Sequence, residues 1–125
     1  MVKEEKSRYI AFEMIIEDET ALEPSSVFNS ISRSILSLYG EVEASQSGIW
    51  LIEYNPETCQ GILRCSHKSL EKVQTAMTVV SKIYDRSAMI HLLKTSGTIK
   101  SLRSSLEQHS TSSQLFNKEK HPLND

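Results

Sequence analysis

Hydrophobic and polar residues alternate with a period of two in the first apolar part of the chain. Between residues 8 and 17, Ile10, Phe12 and Met14 are separated by residues of mixed character. Because successive side chains of a strand point to opposite faces, this alternation predicts a strand with one strongly apolar face. Shorter β-like runs follow, two of them separated by an Asn-Pro turn signal. Together the patterns predict four strands, at residues 8–17, 49–54, 60–65 and 88–93.

Two longer segments carry hydrophobic residues three or four positions apart, which is the spacing of a helix face. The first follows Pro24, has serines available as an N-cap, and reaches Gly40, which is suited to a C-terminal cap. The second carries its apolar residues on one stripe that includes Val73 and Met77. The patterns predict helices at residues 26–39 and 68–83, and a third short helix carrying Ile99, Leu102 and Leu106.

The predicted order β-α-β-β-α-β with an added C-terminal helix indicates an α+β, ferredoxin-like fold, which RNA-recognition modules also use. Four antiparallel strands would be backed by two helices on one face. The other face of the sheet would be open, or covered by the third helix or by a partner. Large apolar residues in these elements are expected in the core: Phe12, Phe28, Trp50, Tyr54, Met77 and Met89.

Length and composition agree with one domain. The chain has 125 residues, of which 38% are hydrophobic, and this supports one core rather than two. We expect a single domain at residues 1–109 and a polar, flexible tail at residues 110–125. There is no apolar run near the roughly 20 residues of a membrane span and no signal-peptide pattern, so the expected location is the cytoplasm, without membrane contact.

Neither metal binding nor self-contained catalysis is indicated by the residue pattern. The two cysteines are expected to be reduced thiols, and Cys65 with His67 and His91 lacks the second spaced pair of a structural zinc site. No histidine stands in a recognisable nucleophile arrangement, and the four glycines form no phosphate-loop or dinucleotide pattern. We therefore expect no catalytic residue and no cofactor on the protein itself.

Residues 94–103 combine a strand end, a glycine and a helix start. Ser96 and Thr98 are good N-cap residues, and Gly97 lets the backbone approach a ligand. Free amides at a helix start favour an anion. The segment is therefore a candidate phosphate site, to which Lys94, Lys100 and Arg103 add positive charge. An ordinary capped helix with solvated basic residues is the alternative.

Charge is unevenly distributed along the chain. Residues 1–66 have five Lys or Arg against eleven Asp or Glu, net −6, whereas residues 67–125 have nine against five, net +4. Such a domain can contact RNA on one side and a protein on the other. The third predicted strand has no aromatic residue, so an RNA contact would be to phosphates and sugars rather than to stacked bases. Arg64 is the cation on that strand, with an exposed pairing to Glu13 or Glu53 as its alternative role.

Three short motifs follow one another along the chain: Arg-Tyr-Ile-Ala-Phe at 8–12, Gly-Ile-Leu-Arg-Cys at 61–65 and Ser-Gly-Thr-Ile-Lys at 96–100. They resemble the archaeal ribonuclease P protein component 2 family, the counterpart of the eukaryotic "Pop-five" subunit, and the similarity extends from about residue 6 to about residue 107. The resemblance implies a protein subunit of the ribonucleoprotein that cleaves the 5′ leader of precursor transfer RNA. It also implies that the RNA, with Mg²⁺ bound to it, performs the chemistry.

The resemblance further implies particular partners and RNA-contacting residues. The partners would be the catalytic RNA, precursor transfer RNA through the holoenzyme, protein component 3 in a pair that can double into a heterotetramer, and other ribonuclease P proteins. A protein-only interaction module of the same fold is the alternative, and a hydrolase is a third hypothesis. Family motif positions together with charge and position predict the RNA-contacting set Arg8, Arg64, Lys94, Ser96, Gly97, Thr98, Lys100 and Arg103.

Overall fold

The computed structural model describes residues 6–17, 22–104 and 106. None of the helices in this part of the chain is long and apolar enough to cross a membrane. The predicted tail at residues 110–125 lies outside the described residues. The elements, in order, are β1 (Ser7–Ile16), α1 (Pro24–Gln46), β2 (Trp50–Asn55), β3 (Gln60–Ser66), a 3₁₀ turn (His67–Ser69), α2 (Leu70–Thr78), β4 (Lys82–Ile83), β5 (Arg86–Ser96) and the helical residues 99–104, termed α3.

The strands form one antiparallel sheet in the order β2-β3-β1-β5-β4. β1 lies in the middle, paired with β3 on one side and with β5 on the other. Without the two-residue β4, this is the predicted ferredoxin-like order, which is therefore confirmed. The central place of β1 explains its composition, since both its faces are covered over much of its length.

The larger core lies between the sheet and the two long helices. Ile10, Phe12 and Met14, which alternate along β1, all point into it and are at most 3% exposed. α1 and α2 meet them with stripes of small and branched apolar side chains that are likewise buried. Burial of each large side chain stabilises the fold by about 1.5–3 kcal/mol. The helix residues of this core include Val27, Ile31, Ile35, Val73, Ala76 and Met77.

A smaller core lies on the opposite face of the sheet and is closed by α3. Leu102 is 0% exposed and packs with Ala11 of β1 and Ile62 of β3, which are also fully buried. Tyr9, Ile52, Leu93, Ile99 and Leu106 surround this group and are partly buried. The sequence left this face open, covered by the third helix or covered by a partner. In the structure the third helix covers it.

Two helix boundaries differ from the sequence prediction. Gly40 interrupts α1 with φ +88°, as a glycine cap does, but the chain resumes helical conformation and continues to Gln46. α2 ends at Thr78, not at residue 83. The prediction was wrong there because Val80 and Ile83 are buried, as helix periodicity requires, but Ile83 is buried from β4. Periodicity reports which residues are buried and does not distinguish a helix end from a short hairpin.

Two of the residues expected in the core are mainly exposed. Met89 is 53% exposed and pairs with Ile15 on the sheet face beyond the reach of α3. Trp50 is 62% exposed on the edge strand β2, where its ring meets the edge of Phe28 at 6.1 Å between centroids. Both expectations were wrong because strand composition does not reveal which parts of a sheet face are covered.

Candidate nucleic-acid interface

One end of the sheet brings three separate parts of the chain together. β1 begins there, whereas β3 and β5 end there, so that Tyr9 pairs with Arg64 on one side and with Ser96 on the other. Neighbouring strands are about 4.8 Å apart, which places the backbones of Arg64 and Ser96 roughly 10 Å from each other. The sheet therefore groups residues that lie near positions 8, 64 and 96 of the sequence.

Two hydroxyl groups organise the turn between β5 and α3. The amide of Thr98 donates a hydrogen bond to Ser96 Oγ at 3.2 Å, and the amide of Ser101 donates one to Thr98 Oγ1 at 3.4 Å. Thr98 is thus the N-cap of α3, a role for which its side chain is suited. Both contacts are exposed, so the start of α3 is accessible to a ligand from solution.

Gly97 is exposed in this turn and has no conformational need to be glycine. It is not among the glycines with positive φ, and a Cβ atom there would meet only Arg8 Nη1, at 3.7 Å. The absence of a side chain therefore leaves open backbone beside a guanidinium group. A larger side chain would cover this backbone without disturbing the fold.

The basic side chains predicted for this site divide into two groups. Lys94 and Lys100 are exposed and have no ionic partner among the described residues. Arg103 instead binds Glu53 of β2, with Nε and Nη2 at 3.0 and 2.8 Å from Oε1. Arg103 thereby links α3 to the edge of the sheet. Because its side chain is 60% exposed and that of Glu53 is 44% exposed, the pair contributes less than about 1 kcal/mol to stability.

Ser7 connects the two arginines at the sheet end. Arg64 Nε donates to Ser7 Oγ at 3.0 Å, and Arg8 Nη1 donates to the carbonyl of Ser7 at 3.0 Å. Glu53, one of the two acidic residues considered as a partner for Arg64, is bound to Arg103 instead. Both guanidinium groups keep further N–H donors that these contacts do not use.

Base stacking on the sheet is excluded by its cover. The strands that carry the stacking aromatics in RNA-recognition modules are here β1 and β3. Their side chains Ala11 and Ile62 lie under Leu102 and are 0% exposed. A nucleic acid can reach this end of the molecule through its turn, amides and cations. Phosphate groups are the part of a nucleic acid that such a surface binds.

Sequence reasoning missed three residues that shape this surface: Ser7, Tyr9 and Glu53. Tyr9 is half-buried between Arg64 and Ser96, and its aromatic ring in an apolar run gave no indication of this position. Glu53 was weighed only as a partner for Arg64. Its pairing with Arg103, 50 positions away, depends on where α3 crosses the sheet.

Two of the residues that were weighed as metal ligands, Cys65 and His91, lie on opposite faces of the sheet. Cys65 is fully buried in the larger core, whereas His91 is exposed on β5. Within the described ranges no three His, Cys, Asp or Glu residues are grouped so that they could hold a metal ion. Burial raises the pKa of the Cys65 thiol to about 11, although the nearby Arg8 charge acts to lower it.

Comparison with known proteins agrees with the family resemblance of the sequence. The model of the Rpp14/Pop5 family matches residues 8–107. Ribonuclease P protein component 2 of Methanosarcina barkeri is 35% identical over 95 residues, which are 76% of this chain and 67% of that protein. The protein of the same name from Pyrococcus abyssi is 34% identical over 99 residues, 79% of this chain and 82% of that one.

A solved structure shares the fold. A chain in the cryo-EM structure of yeast ribonuclease MRP superimposes with a TM-score of 0.63 at 8% sequence identity, covering 92% of this chain and 99% of that chain. At this identity the likeness concerns the fold alone. The family match extends over most of the chain and includes all eight residues that the sequence predicts to contact RNA. This chain belongs to the Rpp14/Pop5 family.

Proposed function

We propose that this chain serves ribonuclease P as a non-catalytic subunit that contacts RNA phosphates at the Gly97 end of its sheet. Its membership of the Rpp14/Pop5 family, and its similarity to archaeal ribonuclease P protein component 2 sequences, make it a ribonuclease P protein subunit. The observation that carries the finer proposal is the exposed backbone at Gly97 beside the Arg8 guanidinium and the N-cap of α3.

Several features of this surface suit a phosphate. Lys94 and Lys100 supply unpaired positive charge, while Arg8 and Arg64 flank the same sheet end. Amides and cations bind the nucleic-acid backbone without reading its sequence. Arg103 lies beside this surface with its guanidinium group bound to Glu53.

The proposed division of labour leaves the chemistry to the RNA. We assign the Mg²⁺ needed for cleavage to the catalytic RNA, as the family resemblance implies; the described residues include no group of three His, Cys, Asp or Glu that could hold a metal ion. The holoenzyme is then an endoribonuclease acting on precursor transfer RNA in the cytoplasm, and this subunit raises its rate by holding RNA in a reactive arrangement. Protein component 3 is the proposed direct partner, in a pair that can form a heterotetramer, beside other ribonuclease P proteins.

Salt dependence tests the phosphate contact. The affinity of this chain together with component 3 for the catalytic RNA is measured over a range of salt concentrations. The same measurement with component 3 alone gives the contribution of this chain. Neutralisation of about three phosphates predicts a slope of log affinity against log salt of roughly −2 to −3 from this chain. No change in slope on adding the chain would contradict the RNA contact and favour the protein-only module.

Removal of the two unpaired lysines locates the contact. Lys94→Ala with Lys100→Ala should make the slope less negative by about 1.4–1.8, with the melting temperature unchanged because both side chains are exposed. Lys72→Ala is the matched control, since its ammonium is already bound to Glu43 at 3.1 Å. Because the control removes one charge and the test variant removes two, a change about half as large in the control would show a general effect of net charge and contradict the assigned position.

Gly97 tests close approach by the RNA backbone. Gly97→Ala and Gly97→Val add side chains of increasing size where a Cβ meets no atom closer than 3.7 Å. We expect normal folding but progressively weaker RNA assembly and cleavage by the reconstituted enzyme. Unchanged assembly with both variants would mean that no RNA group lies against this turn.

A further inference from the structure

A cleft lies near the opposite end of β5 from Gly97, on the helix side of the sheet. It opens between α1 and residues 79–84, the segment that joins α2 to β4 and enters the following hairpin turn. Its volume is about 390 Å³. Ligand sites typically have volumes of roughly 300–1,000 Å³, so this cleft is large enough for a nucleotide-sized group.

Two cationic side chains line the cleft. Arg33 of α1 and Lys82 of β4 line it, are both exposed, and have no ionic partner in the part of the chain that the structure describes. No carboxylate occurs among the described lining residues, and neither Glu23 nor Asp85 is one of them. This charge favours an anionic ligand.

The polar lining provides uncharged groups beside the two cations. Ser30 and Ser34 donate their hydroxyl protons to backbone carbonyls at 2.8 and 2.7 Å, which leaves the hydroxyl oxygens able to accept. Asn29 and Ser37 also line the cleft, and no protein partner engages their side chains among the described residues. Such groups can bind the hydroxyls of a sugar or the polar edge of a base.

Tyr84 supplies an exposed aromatic ring at the mouth of the cleft. It is 75% exposed, and its hydroxyl lies 2.9 Å from Ser26 Oγ, which holds the ring towards α1. Its φ is +57°, a left-handed conformation that is unfavourable for a side chain of this size. Cations beside an exposed aromatic ring are the combination with which proteins bind single-stranded nucleic acid.

We infer that this cleft binds a single-stranded segment of RNA, with a phosphate between Arg33 and Lys82 and a base against Tyr84. The inference rests on the proposed function, because it requires that the chain works on RNA. It adds a second contact, since the ten residue steps from Arg86 to Ser96 span roughly 33 Å of strand. A subunit with contacts at both ends of β5 would fix two RNA segments relative to each other.

The cations are tested with the full-length chain and a fluorescent 12-nucleotide single-stranded RNA. Arg33→Ala with Lys82→Ala should make the salt slope less negative by about 0.7, because the one phosphate of single-stranded RNA held between these cations is no longer neutralised. Lys72→Ala again removes one charge that is already paired and should leave the slope unchanged. An unchanged slope in the double variant would overturn the proposal, as would loss of component 3 binding with RNA binding intact.

The ring is tested by two substitutions of Tyr84. Tyr84→Ala should weaken binding of the same RNA at least fivefold, which is the lower range for loss of one base-stacking side chain. Tyr84→Phe removes the contact with Ser26 but keeps the ring, so it should bind within about twofold of the wild type. Equal losses in both variants would mean that the hydroxyl, and not stacking, is used, and would overturn the base contact.

Photocrosslinking separates this inference from the Gly97 proposal. RNA containing 4-thiouridine should attach to Tyr84, which trypsin releases in the peptide of residues 83–86 from the wild type and in the peptide of residues 73–86 from Arg33→Ala/Lys82→Ala, where the cleavage site at Lys82 is lost. A crosslink there that disappears in Arg33→Ala/Lys82→Ala but persists in Lys94→Ala/Lys100→Ala supports the cleft, even if the Gly97 surface fails. Crosslinks confined to peptides around residues 94–103 would support the Gly97 surface and overturn the cleft.

Discussion

Gly61 shows at the scale of one residue how tightly the centre of the sheet is packed. A Cβ atom there would lie 2.8 Å from the carbonyl oxygen of Glu53, 2.9 Å from Phe12 Cζ and 3.0 Å from Tyr54 Cδ1. Two of these neighbours are in β2 and one is in β1, so the missing side chain lets three strands pack around two aromatic rings. The stacked pair of Phe12 and Tyr54, with centroids 6.2 Å apart, depends on this space.

Gly61→Ala should therefore lower the free energy of unfolding by about 1–3 kcal/mol, the usual cost of overpacking a core. Urea denaturation of both proteins measures the difference. Gly97→Ala is the control and should change stability by less than about 0.5 kcal/mol, because its new methyl group has space. A wild-type midpoint for Gly61→Ala would show that the sheet relaxes easily around this position.

Cys65 should make the free energy of unfolding depend on pH in the alkaline range. Burial raises its pKa from the ordinary value of 9.0 to about 11, so the folded protein retains a proton that the unfolded chain loses first. The contribution of the thiol is present below pH 9 and is lost as pH rises towards 11. We expect the free energy of unfolding to fall by about 1–3 kcal/mol over this interval, as each pH unit can contribute up to about 1.4 kcal/mol.

Comparison with Cys65→Ala isolates this effect. The variant is less stable at neutral pH because it leaves a cavity, but its stability should vary less between pH 9 and 10. Above that range Tyr54 also contributes, since its burial and the nearby Cys59 raise its pKa as well. Parallel pH profiles of the two proteins between pH 9 and 10 would contradict the assignment to Cys65.

α3 is the element that turns a two-layer fold into a three-layer one. Leu102 places its whole side chain against Ala11 and Ile62, and Arg103 adds an exposed ion pair with Glu53. Apolar burial and the exposed ion pair therefore hold the same helix with very different strengths. The position of α3 also sets the position of Thr98 and of the exposed Gly97 backbone before it.

Leu102→Ala should lower the free energy of unfolding by about 2–5 kcal/mol because it empties a fully buried site. Arg103→Ala should lower it by less than about 1 kcal/mol, since both partners are largely in water. Chemical denaturation of the two variants gives both values. A larger effect of Arg103→Ala than of Leu102→Ala would mean that the ion pair, not the smaller core, anchors α3.

At the scale of the whole molecule, the described part of the chain has two cores that share one sheet. β1 contributes Ile10 and Phe12 to the larger core and Ala11 to the smaller one. If either core unfolded, it would expose one face of the strands whose other face supports the second core. The Gly97 end and the cleft beside α1 are both built on elements that pack in these cores.

Unfolding should accordingly be a single cooperative transition. Trp50 is the sole tryptophan of the chain and lies on the edge strand β2, so its fluorescence reports that edge while circular dichroism reports the helices. We expect the two signals to give the same urea midpoint, with a slope of about 1–3 kcal/mol per M. An earlier fluorescence transition would show that β2 separates before the rest of the fold.

Sequence information was sufficient for the elements whose cause is local. The period of two in β1, the three-to-four spacing in α1 and the Asn-Pro turn before β3 depend only on neighbours along the chain. The N-cap role of Thr98 is local in the same sense, because its hydrogen bond spans three residues. These features were predicted and are present.

Tertiary structure decided the features whose cause is distant in sequence. The end of α2 and the exposure of Met89 and Trp50 depend on what packs against each segment, which periodicity does not reveal. The same holds at the candidate sites, where Arg103 is bound to a residue 50 positions away and the α1 cleft exists only because β4 lies beside α1. By itself the sequence determined the order of the longer elements, the family motifs and the types of side chain available. The fold determined which cations are paired, which face is covered and which backbone is open, because burial and charge pairing depend on distances through space.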